Sequence, residues 1–201
     1  MKTIIFDMHG VIIKQSKGVF VSYVYKHFPN TDKETLVRHF RQASIGKITG
    51  NEFLAKLGFE NVELTTKDYI ENNLTFDTGF INFVQKNKAV YRFALLSNDV
   101  LSWSEYITSH YDIDKYFSTK IISAAVGYRK PDKVIYEIIL ERLGIPADEC
   151  IYIDNSVKNL LIAQQLGMDT VLFNRDGELY DGNFKVIYSF EELDDILQRK
   201  K

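Results

Sequence analysis

Asp7 is the first residue of this chain whose type and position could carry out chemistry. It directly follows the apolar run Ile4-Ile5-Phe6, which is typical of a short buried strand, and Gly10 lets the backbone turn sharply soon afterwards. In open α/β sheets, ligands bind at the carboxyl ends of the strands. A carboxylate at that edge can act as a nucleophile, bind a metal ion, or do both.

Three other short segments place polar residues where a predicted strand ends. They are Ser97-Asn98-Asp99, Lys130-Pro131-Asp132 and Asp154-Asn155. Alone, each is as well explained by a turn or a helix cap. Because the carboxyl ends of parallel strands share one edge of a sheet, we expect these segments to converge on Asp7.

These residue types fit phosphoryl transfer through an aspartyl-phosphate. The Asp7 carboxylate would attack phosphorus, while the Ser97 hydroxyl and backbone N–H groups would hold the phosphoryl oxygens. Lys130 would neutralise the crowded negative charge. Carboxylate oxygens such as those of Asp154 suit Mg²⁺, which would bridge the nucleophile and the phosphate.

The elements that position these residues follow from the apolar patterning. Residues 3–7 predict the first strand, and strands near 91–96, 120–123, 150–153 and 170–173 alternate with helices after residue 90. This alternation predicts an α/β fold with a Rossmann-like, doubly wound parallel sheet. The helices between and after these strands are predicted at about 100–110, 132–143, 156–166 and 190–199.

Residues 18–88 have a helical pattern almost throughout. Thr31 or Asp32 can cap the second helix of this block, and Thr49 with Glu52 forms a predicted capping box at the third. Two more helices are predicted at about 66–74 and 78–87. Since the block separates the first strand from the others, it predicts a helical cap inserted after strand one and standing over the carboxyl edge.

Composition narrows the function classes. The chain has 201 residues, 45% of them hydrophobic, and a net charge of −2 without a basic stripe, which argues against nucleic acid as the main partner. No stretch is long and apolar enough to span a membrane. Cys150 is the only cysteine, so an internal disulfide is excluded, and a buried, unreactive thiol is the favoured interpretation. A soluble cytoplasmic protein is expected.

The chain resembles the haloacid dehalogenase-like hydrolase superfamily, whose members are mostly Mg²⁺-dependent phosphatases. The closest tracts are Gly127–Leu143 (GYRKPDKVIYEIILERL) and Ile151–Met168 (IYIDNSVKNLLIAQQLGM). They are most similar to the small-molecule phosphatase branch with a helical C1 cap and to the phosphatase-like domains of epoxide hydrolases. The resemblance covers essentially the whole length and implies a core of residues 1–14 plus 89–201, with a cap of residues 15–88.

The resemblance also implies a role for each matching residue. Asp7 would be the nucleophile, and Asp7, His9 and Lys130 the catalytic set. Phosphate would be bound by Ser97, Asn98 and Lys130, with Asn159 bracing the loop that follows Asp154. The Mg²⁺ ligands would be Asp7, His9 through its backbone carbonyl, Asp154 and Asn155.

Two positions depart from the family pattern. His9 replaces a second aspartate that protonates the leaving oxygen and then activates water, and imidazole can do that work at neutral pH or be a spectator. Asn155 replaces a second acid, so the site brings less charge to Mg²⁺. Both changes remove negative charge from one site.

The expected function is a Mg²⁺-dependent phosphomonoester hydrolase acting on a small phosphorylated metabolite. Two alternatives stay open: a catalytically impaired protein that binds phosphate compounds in a regulatory role, and a metal-independent 2-haloacid dehalogenase. The scattered His27, His39 and His110 lack zinc-ligand spacing. Trp103 is expected to serve packing more than the cleft. The substrate and the oligomeric state are not assigned.

Overall fold

A parallel sheet forms the centre of the molecule. The structure is a computed structural model that describes residues 1–15, 18–175, 177, 179, 180, 182 and 184–198. Within them, six parallel strands have the order β3-β2-β1-β4-β5-β6. Their bounds are β1 Thr3–Phe6, β2 Arg92–Ser97, β3 Thr119–Ile122, β4 Cys150–Asp154, β5 Asp169–Phe173 and β6 Lys185–Ile187.

The first strand lies in the middle of the sheet. Ile5 of β1 pairs with Ala94 of β2 on one side and with Tyr152 of β4 on the other. Strands β2 and β3 follow β1 on one side of the sheet, and β4, β5 and β6 lie on its other side. The strand order therefore changes direction at β1, and such a switch point leaves a crevice at the carboxyl ends of the strands. The predicted doubly wound sheet is confirmed, with β6 as an additional strand beyond the five predicted ones.

Ten helices surround the sheet within the described part of the chain. They are α1 Val19–His27, α2 Lys33–Ala43, α3 Gly50–Lys56, α4 Val62–Asn73, α5 Gly79–Asn87, α6 Leu101–His110, α7 Ser123–Val126, α8 Lys133–Leu143, α9 Val157–Gln165 and α10 Phe190–Gln198. No described helix is long and apolar enough to cross a bilayer.

Local capping explains where several helices begin. The Asp32 side chain accepts a hydrogen bond from Thr35 N, and Thr49 and Glu52 form the predicted capping box of α3. The prediction for α4 was wrong at its start, which is Val62 instead of about 66. Asn61 caps this helix by accepting from Leu64 N, so one more turn is stable than the apolar pattern indicated.

Helices cover both faces of the sheet. On one face, Phe6 of β1 packs against Phe80 and Phe83 of α5, at ring-centroid distances of 5.4 and 6.0 Å, and near Phe190 of α10. The other face buries Ile5, Ala94 and Tyr152 under α8 and α9. Helix α5 lies inside the range predicted for the cap, yet it packs on β1 of the sheet and on α10.

Helices α1–α4, called here the helical segment (residues 19–73), pack on one another and on α6. Trp103 of α6 contacts Phe20 of α1 at 4.9 Å and Tyr69 of α4 at 5.2 Å between ring centroids. The helical segment is therefore joined by an aromatic cluster to the helix that follows β2. This places α1 and α2 over the carboxyl end of β1, where Phe20 and Phe40 share a cavity with Asp7.

Candidate active site

Asp7 lies at the carboxyl end of the central strand. Its backbone N–H donates to Ile153 O at 2.9 Å, which extends the pairing of β1 with β4 by one residue. Its Oδ1 accepts from Met8 N at 2.7 Å. Gly10 then adopts a φ of 85°, a left-handed conformation that favours glycine and carries the chain away from the sheet. The carboxylate is held at the sheet edge and is 7% exposed.

Lys130 joins Asp7 to the neighbouring strand. Its Nζ contacts Asp7 Oδ1 at 2.8 Å and Asp154 Oδ2 at 2.9 Å, and it donates to Leu96 O at 2.9 Å. An ammonium group has three N–H donors, so these contacts use all of them. The buried cation therefore bridges the ends of β1, β2 and β4.

Asp154 is surrounded by donors. Besides Lys130, its Oδ2 accepts from the Tyr152 hydroxyl, and its Oδ1 accepts from Ser156 N at 2.7 Å. The Asn159 amide donates to both carboxylate oxygens, at 3.1 and 3.0 Å. Asn159 thus braces this loop, and Asp154 has little hydrogen-bonding capacity left for another ligand.

The charges of this cluster shift one another's protonation. Burial raises the pKa of Asp7 to about 6, opposed by Lys130 and reinforced by Asp154. Burial alone would lower the pKa of Lys130, but Asp154 and Asp7 outweigh it and the pKa is raised. Lys130 is therefore held as a cation between the two carboxylates.

Asn98 and Ser97 end β2 beside this cluster. The Asn98 amide clasps the backbone of Lys130, accepting from its N at 2.8 Å and donating to its O at 2.8 Å. Asn98 therefore holds the lysine in place through its side chain. The Ser97 hydroxyl is buried and has no hydrogen-bond partner among the described residues, an arrangement that costs free energy unless a ligand satisfies it.

His9 forms a hydrogen-bonded pair with Asp99. Its Nε2 lies 3.1 Å from Asp99 Oδ2, and the same oxygen accepts from Ser104 Oγ at 2.7 Å. Asp99 Oδ1 accepts from Val100 N at 2.8 Å. Burial would lower the pKa of His9, but Asp99 outweighs it and raises the pKa. The pairing fixes the ring and leaves Nδ1 without a partner in the described part of the chain.

A hydrogen-bonded chain links this pair to the helical segment. Asp99 N donates to Ser123 Oγ at 3.0 Å, and Ser123 Oγ donates to Ser44 O at the end of α2 at 2.5 Å. Gly46 follows with a φ of 72°, and a Cβ there would lie 2.2 Å from Ala124 O. The end of α2 is therefore held directly against the core.

A cavity of about 390 Å³ opens above these residues. Its floor is polar and includes Asp7, His9, Asn98, Lys130 and Asn155. The opposite wall is largely apolar and comes from α1, α2, α4 and α6: Val19, Phe20, Val21, Leu36, Val37, Phe40, Tyr69 and Trp103. Trp103 both packs in the aromatic cluster and lines this cavity.

The predicted metal donors are only partly free to bind an ion. Asp7 Oδ2 has no hydrogen bond from a described residue, whereas Asp154 is already saturated with donors. Asn155 lines the cavity. Across residues 1–15, 18–175 and the described part of 177–198, no group of three or more His, Cys, Asp or Glu side chains could hold a metal. The donor set is poor in charge, as the sequence indicated.

Three residues around the site were missed from the sequence. Tyr152 stands two positions before Asp154 in β4, and alternation along a strand places both on one face. Asp99 was noted only as part of a turn, and a separation of 90 residues hides its pairing with His9. Arg129 lines the cavity next to Lys130 and carried no signal beyond its position in sequence.

Comparison with known proteins identifies the family of this chain. Residues 1–167 match the haloacid dehalogenase-like hydrolase family. The chain therefore belongs to the haloacid dehalogenase-like hydrolases, and the resemblance to that superfamily noted in the sequence is confirmed.

Individual relatives are distant. Enolase-phosphatase E1 of Naegleria gruberi is 26% identical over 94% of this chain and 69% of its own length. Acyl-CoA dehydrogenase family member 10 of Mus musculus is 26% identical over 87% of this chain. The chain spans only about a fifth of that mouse protein and of drimenol cyclase drtB from Aspergillus calidoustus.

A solved structure shares the fold. A haloacid dehalogenase family enzyme from Bacteroides thetaiotaomicron, in complex with magnesium and inorganic phosphate, has a TM-score of 0.75 and 22% identity. The alignment covers 90% of this chain and 98% of that one. At this level of identity, the likeness establishes the common fold.

Proposed function

We propose that this protein is a Mg²⁺-dependent phosphomonoester hydrolase that acts on a small phosphorylated metabolite through an aspartyl-phosphate on Asp7. The observation that carries the proposal is the Lys130 ammonium, which contacts both Asp7 and Asp154 within 2.9 Å at the sheet edge. A nucleophilic carboxylate needs such a neighbour, because the incoming phosphate brings more negative charge to the same place. The phosphatase names of several relatives agree with this assignment.

The residues present fit Mg²⁺ in a low-charge form of its site. Mg²⁺ keeps several waters and is commonly bound by one or two carboxylates together with substrate phosphate. Asp7, the His9 carbonyl and the Asn155 amide would contribute ligands, with Asp154 fixing the loop from behind. When bound, Mg²⁺ would offset phosphoryl charge and align the phosphate with Asp7. With so few protein charges, affinity for the ion should be low until phosphate is present.

The reaction divides into two displacements at phosphorus. In the first, an Asp7 oxygen forms a bond to phosphorus while the bond to the leaving oxygen breaks, and His9 donates a proton to that oxygen. In the second, His9 takes a proton from water, whose oxygen displaces Asp7 and yields inorganic phosphate. Lys130 offsets the negative charge on the phosphoryl group throughout. Ser97 would donate its unsatisfied hydroxyl proton to a phosphoryl oxygen.

The Asp99 contact supports His9 as the acid and base. A carboxylate bound to one ring nitrogen fixes the orientation of an imidazole and determines which nitrogen exchanges a proton. Because Nε2 is bound to Asp99, Nδ1 is the nitrogen assigned to the leaving oxygen and the water. The replacement of an aspartate at position 9 is thus matched by an acidic partner at position 99. This pairing favours a working enzyme over a scaffold that only binds phosphate.

The helical segment would act as the cap over the reaction. Phe20 and Phe40 close the side of the cavity opposite Asp7, and a cavity of about 390 Å³ suits a small molecule. Excluding water strengthens the electrostatic interactions inside such a site. Since α5 packs on the sheet and on α10, the proposed cap is best described by α1–α4.

The test is phosphate release from a panel of phosphorylated sugars, nucleotides and aryl phosphates, with Mg²⁺ and with a chelator. Turnover should require Mg²⁺ and should be abolished in Asp7→Asn. The matched control is Asp148→Asn, an exposed residue in the 3₁₀ turn before β4, at the opposite edge of the sheet. Full activity of Asp7→Asn would contradict the mechanism. Activity that survives the chelator would favour the dehalogenase alternative, and binding without turnover would favour a regulatory role.

A further inference from the structure

A second cleft adjoins the active-site cavity beside α2. This distal cleft, of about 630 Å³, is lined on one side by Val37, Phe40, Arg41 and Ile45 and on the other by the loop of residues 127–132. Val37, Phe40, Arg129 and Lys130 line both spaces, so the two adjoin along these side chains. A molecule whose phosphate lies against Asp7 would extend past these side chains into the distal cleft.

The shared wall is apolar and comes from one face of α2. Val37 and Phe40 are three residues apart, and Arg41 follows, so helical spacing brings all three to the same side. Val37 is 51% exposed although it is a large apolar residue. Burying its side chain against an apolar part of a ligand would contribute binding free energy by removing that surface from water.

Two arginines, Arg41 and Arg129, lie beside this wall. Neither Arg41 nor Arg129 forms an ion pair with a described residue, and Arg129 is half-buried. Burial and the charge of Arg41 lower the pKa of Arg129, the direction expected for two cations held close together. Asp132, which also lines this cleft, caps α8 by accepting from Val134 N at 3.0 Å. The distal cleft is therefore electropositive.

Building on the proposed phosphatase activity, we propose that the substrate is a phosphomonoester with an apolar body and a second anionic group. The transferred phosphate lies against Asp7, the body packs on Val37 and Phe40, and the second anion binds Arg41 and Arg129. A planar guanidinium binds a carboxylate or a phosphate equally well, so both anions fit. Polar sugar phosphates match this wall poorly, because their hydroxyl groups would face apolar side chains.

The experiment compares phenyl phosphate, 4-carboxyphenyl phosphate and glycerol phosphate, which separate the two features of the substrate. We expect KM for 4-carboxyphenyl phosphate to be about tenfold below that for phenyl phosphate, since a charge-assisted contact is worth roughly that factor. Arg129→Gln and Arg41→Gln should remove the difference. Arg142→Gln, an exposed arginine on α8, is the matched control and should preserve it. Phenyl phosphate should in turn have a lower KM than glycerol phosphate.

Binding can be followed without turnover. Trp103 is the only tryptophan and lines the cavity, so its fluorescence reports ligand binding in Asp7→Asn. If no compound is hydrolysed but the carboxylate preference and its dependence on Arg129 remain in this assay, the proposed hydrolysis fails and the specificity assignment stands. Equal affinity for the two aryl phosphates would overturn the second anion site. Tighter binding of glycerol phosphate than of phenyl phosphate would overturn the apolar wall.

Discussion

Replacing Lys130 with methionine should destabilise the fold as well as stop the reaction. Methionine has an unbranched side chain of similar length, so it replaces the apolar stem of Lys130 but lacks the ammonium that contacts Asp7 and Asp154. Both carboxylates then face each other in a site where the lysine side chain was 1% exposed. Substitutions that leave a buried charge without its partner cause some of the largest losses in the free energy of unfolding.

The contact distances set the expected magnitude. At 2.8 and 2.9 Å, with an effective dielectric constant of about 20, each ion contact contributes about 6 kcal/mol. Removing the ammonium also removes its desolvation cost of several kcal/mol, and the carboxylates relax or take up a proton. The net loss in the free energy of unfolding should be about 3–5 kcal/mol for Lys130→Met.

A double-mutant cycle with Asp154→Asn tests this reasoning. Neutralising Asp154 removes one of the two stranded charges, so Lys130→Met should cost at least about 2 kcal/mol less in the Asp154→Asn background. Urea unfolding followed by Trp103 fluorescence gives the four free energies. Additive effects of the two substitutions, or a loss below about 1 kcal/mol for Lys130→Met alone, would refute the claim that the buried lysine balances both carboxylates.

Three other outcomes are expected. Asp99→Asn should lower kcat by about tenfold or more with a small change in KM. The loss of kcat should be greater for phenyl phosphate than for 4-nitrophenyl phosphate, because a poor leaving group depends more on a proton from His9. An equal loss for both substrates would contradict the role of Asp99. Burial, together with the nearby charge of Glu149, raises the pKa of the Cys150 thiol to about 11. A thiol reagent at pH 8 should therefore label the native protein slowly and the urea-unfolded protein fast. Rapid labelling of the native protein would contradict the raised pKa of Cys150. Asp194→Ala should destabilise by about 1–3 kcal/mol near pH 7, because the carboxylate binds Lys86. Burial would raise the pKa of Asp194, but its hydrogen bonds outweigh burial and lower that pKa. The stabilisation by the carboxylate is therefore present above the ordinary carboxyl pKa and is lost as the pH falls through the lowered pKa of Asp194. The unfolding curves of mutant and wild type should converge in acid.

The strands could be predicted well because burial leaves a strong mark on sequence. Ile4-Ile5-Phe6 and Cys150-Ile151-Tyr152-Ile153 are buried on both faces and are therefore apolar without interruption. Strand β6, Lys185–Ile187, has only three residues and one buried side chain, so no periodicity distinguishes it from a loop. The early start of α4 depended on Asn61, a cap whose effect is local and easily overlooked.

The residues of the site also differ in how well the sequence predicts their positions. Asp7, Lys130 and Asp154 could be brought together from sequence because each ends or follows a parallel strand, and topology then determines their meeting place. The Asn98 side chain was expected at phosphate, but only the structure reveals that it clasps the backbone of Lys130. Side-chain direction of this kind depends on rotamers and neighbours across the fold, which spacing along the chain does not record.

The hydrogen bonds from Ser44 through Ser123 and Asp99 to His9 limit how this enzyme can be re-engineered. Exchanging helices between relatives is an attractive way to transplant substrate preference, because specificity and chemistry are often treated as separate modules. Here the backbone carbonyl of Ser44 at the end of α2 is connected to the imidazole of His9 by hydrogen bonds through Ser123 and Asp99. A chimera that imports a foreign α2 should therefore keep Ser123 and return the backbone carbonyl of position 44 to the same place, because the position of the His9 imidazole depends on both.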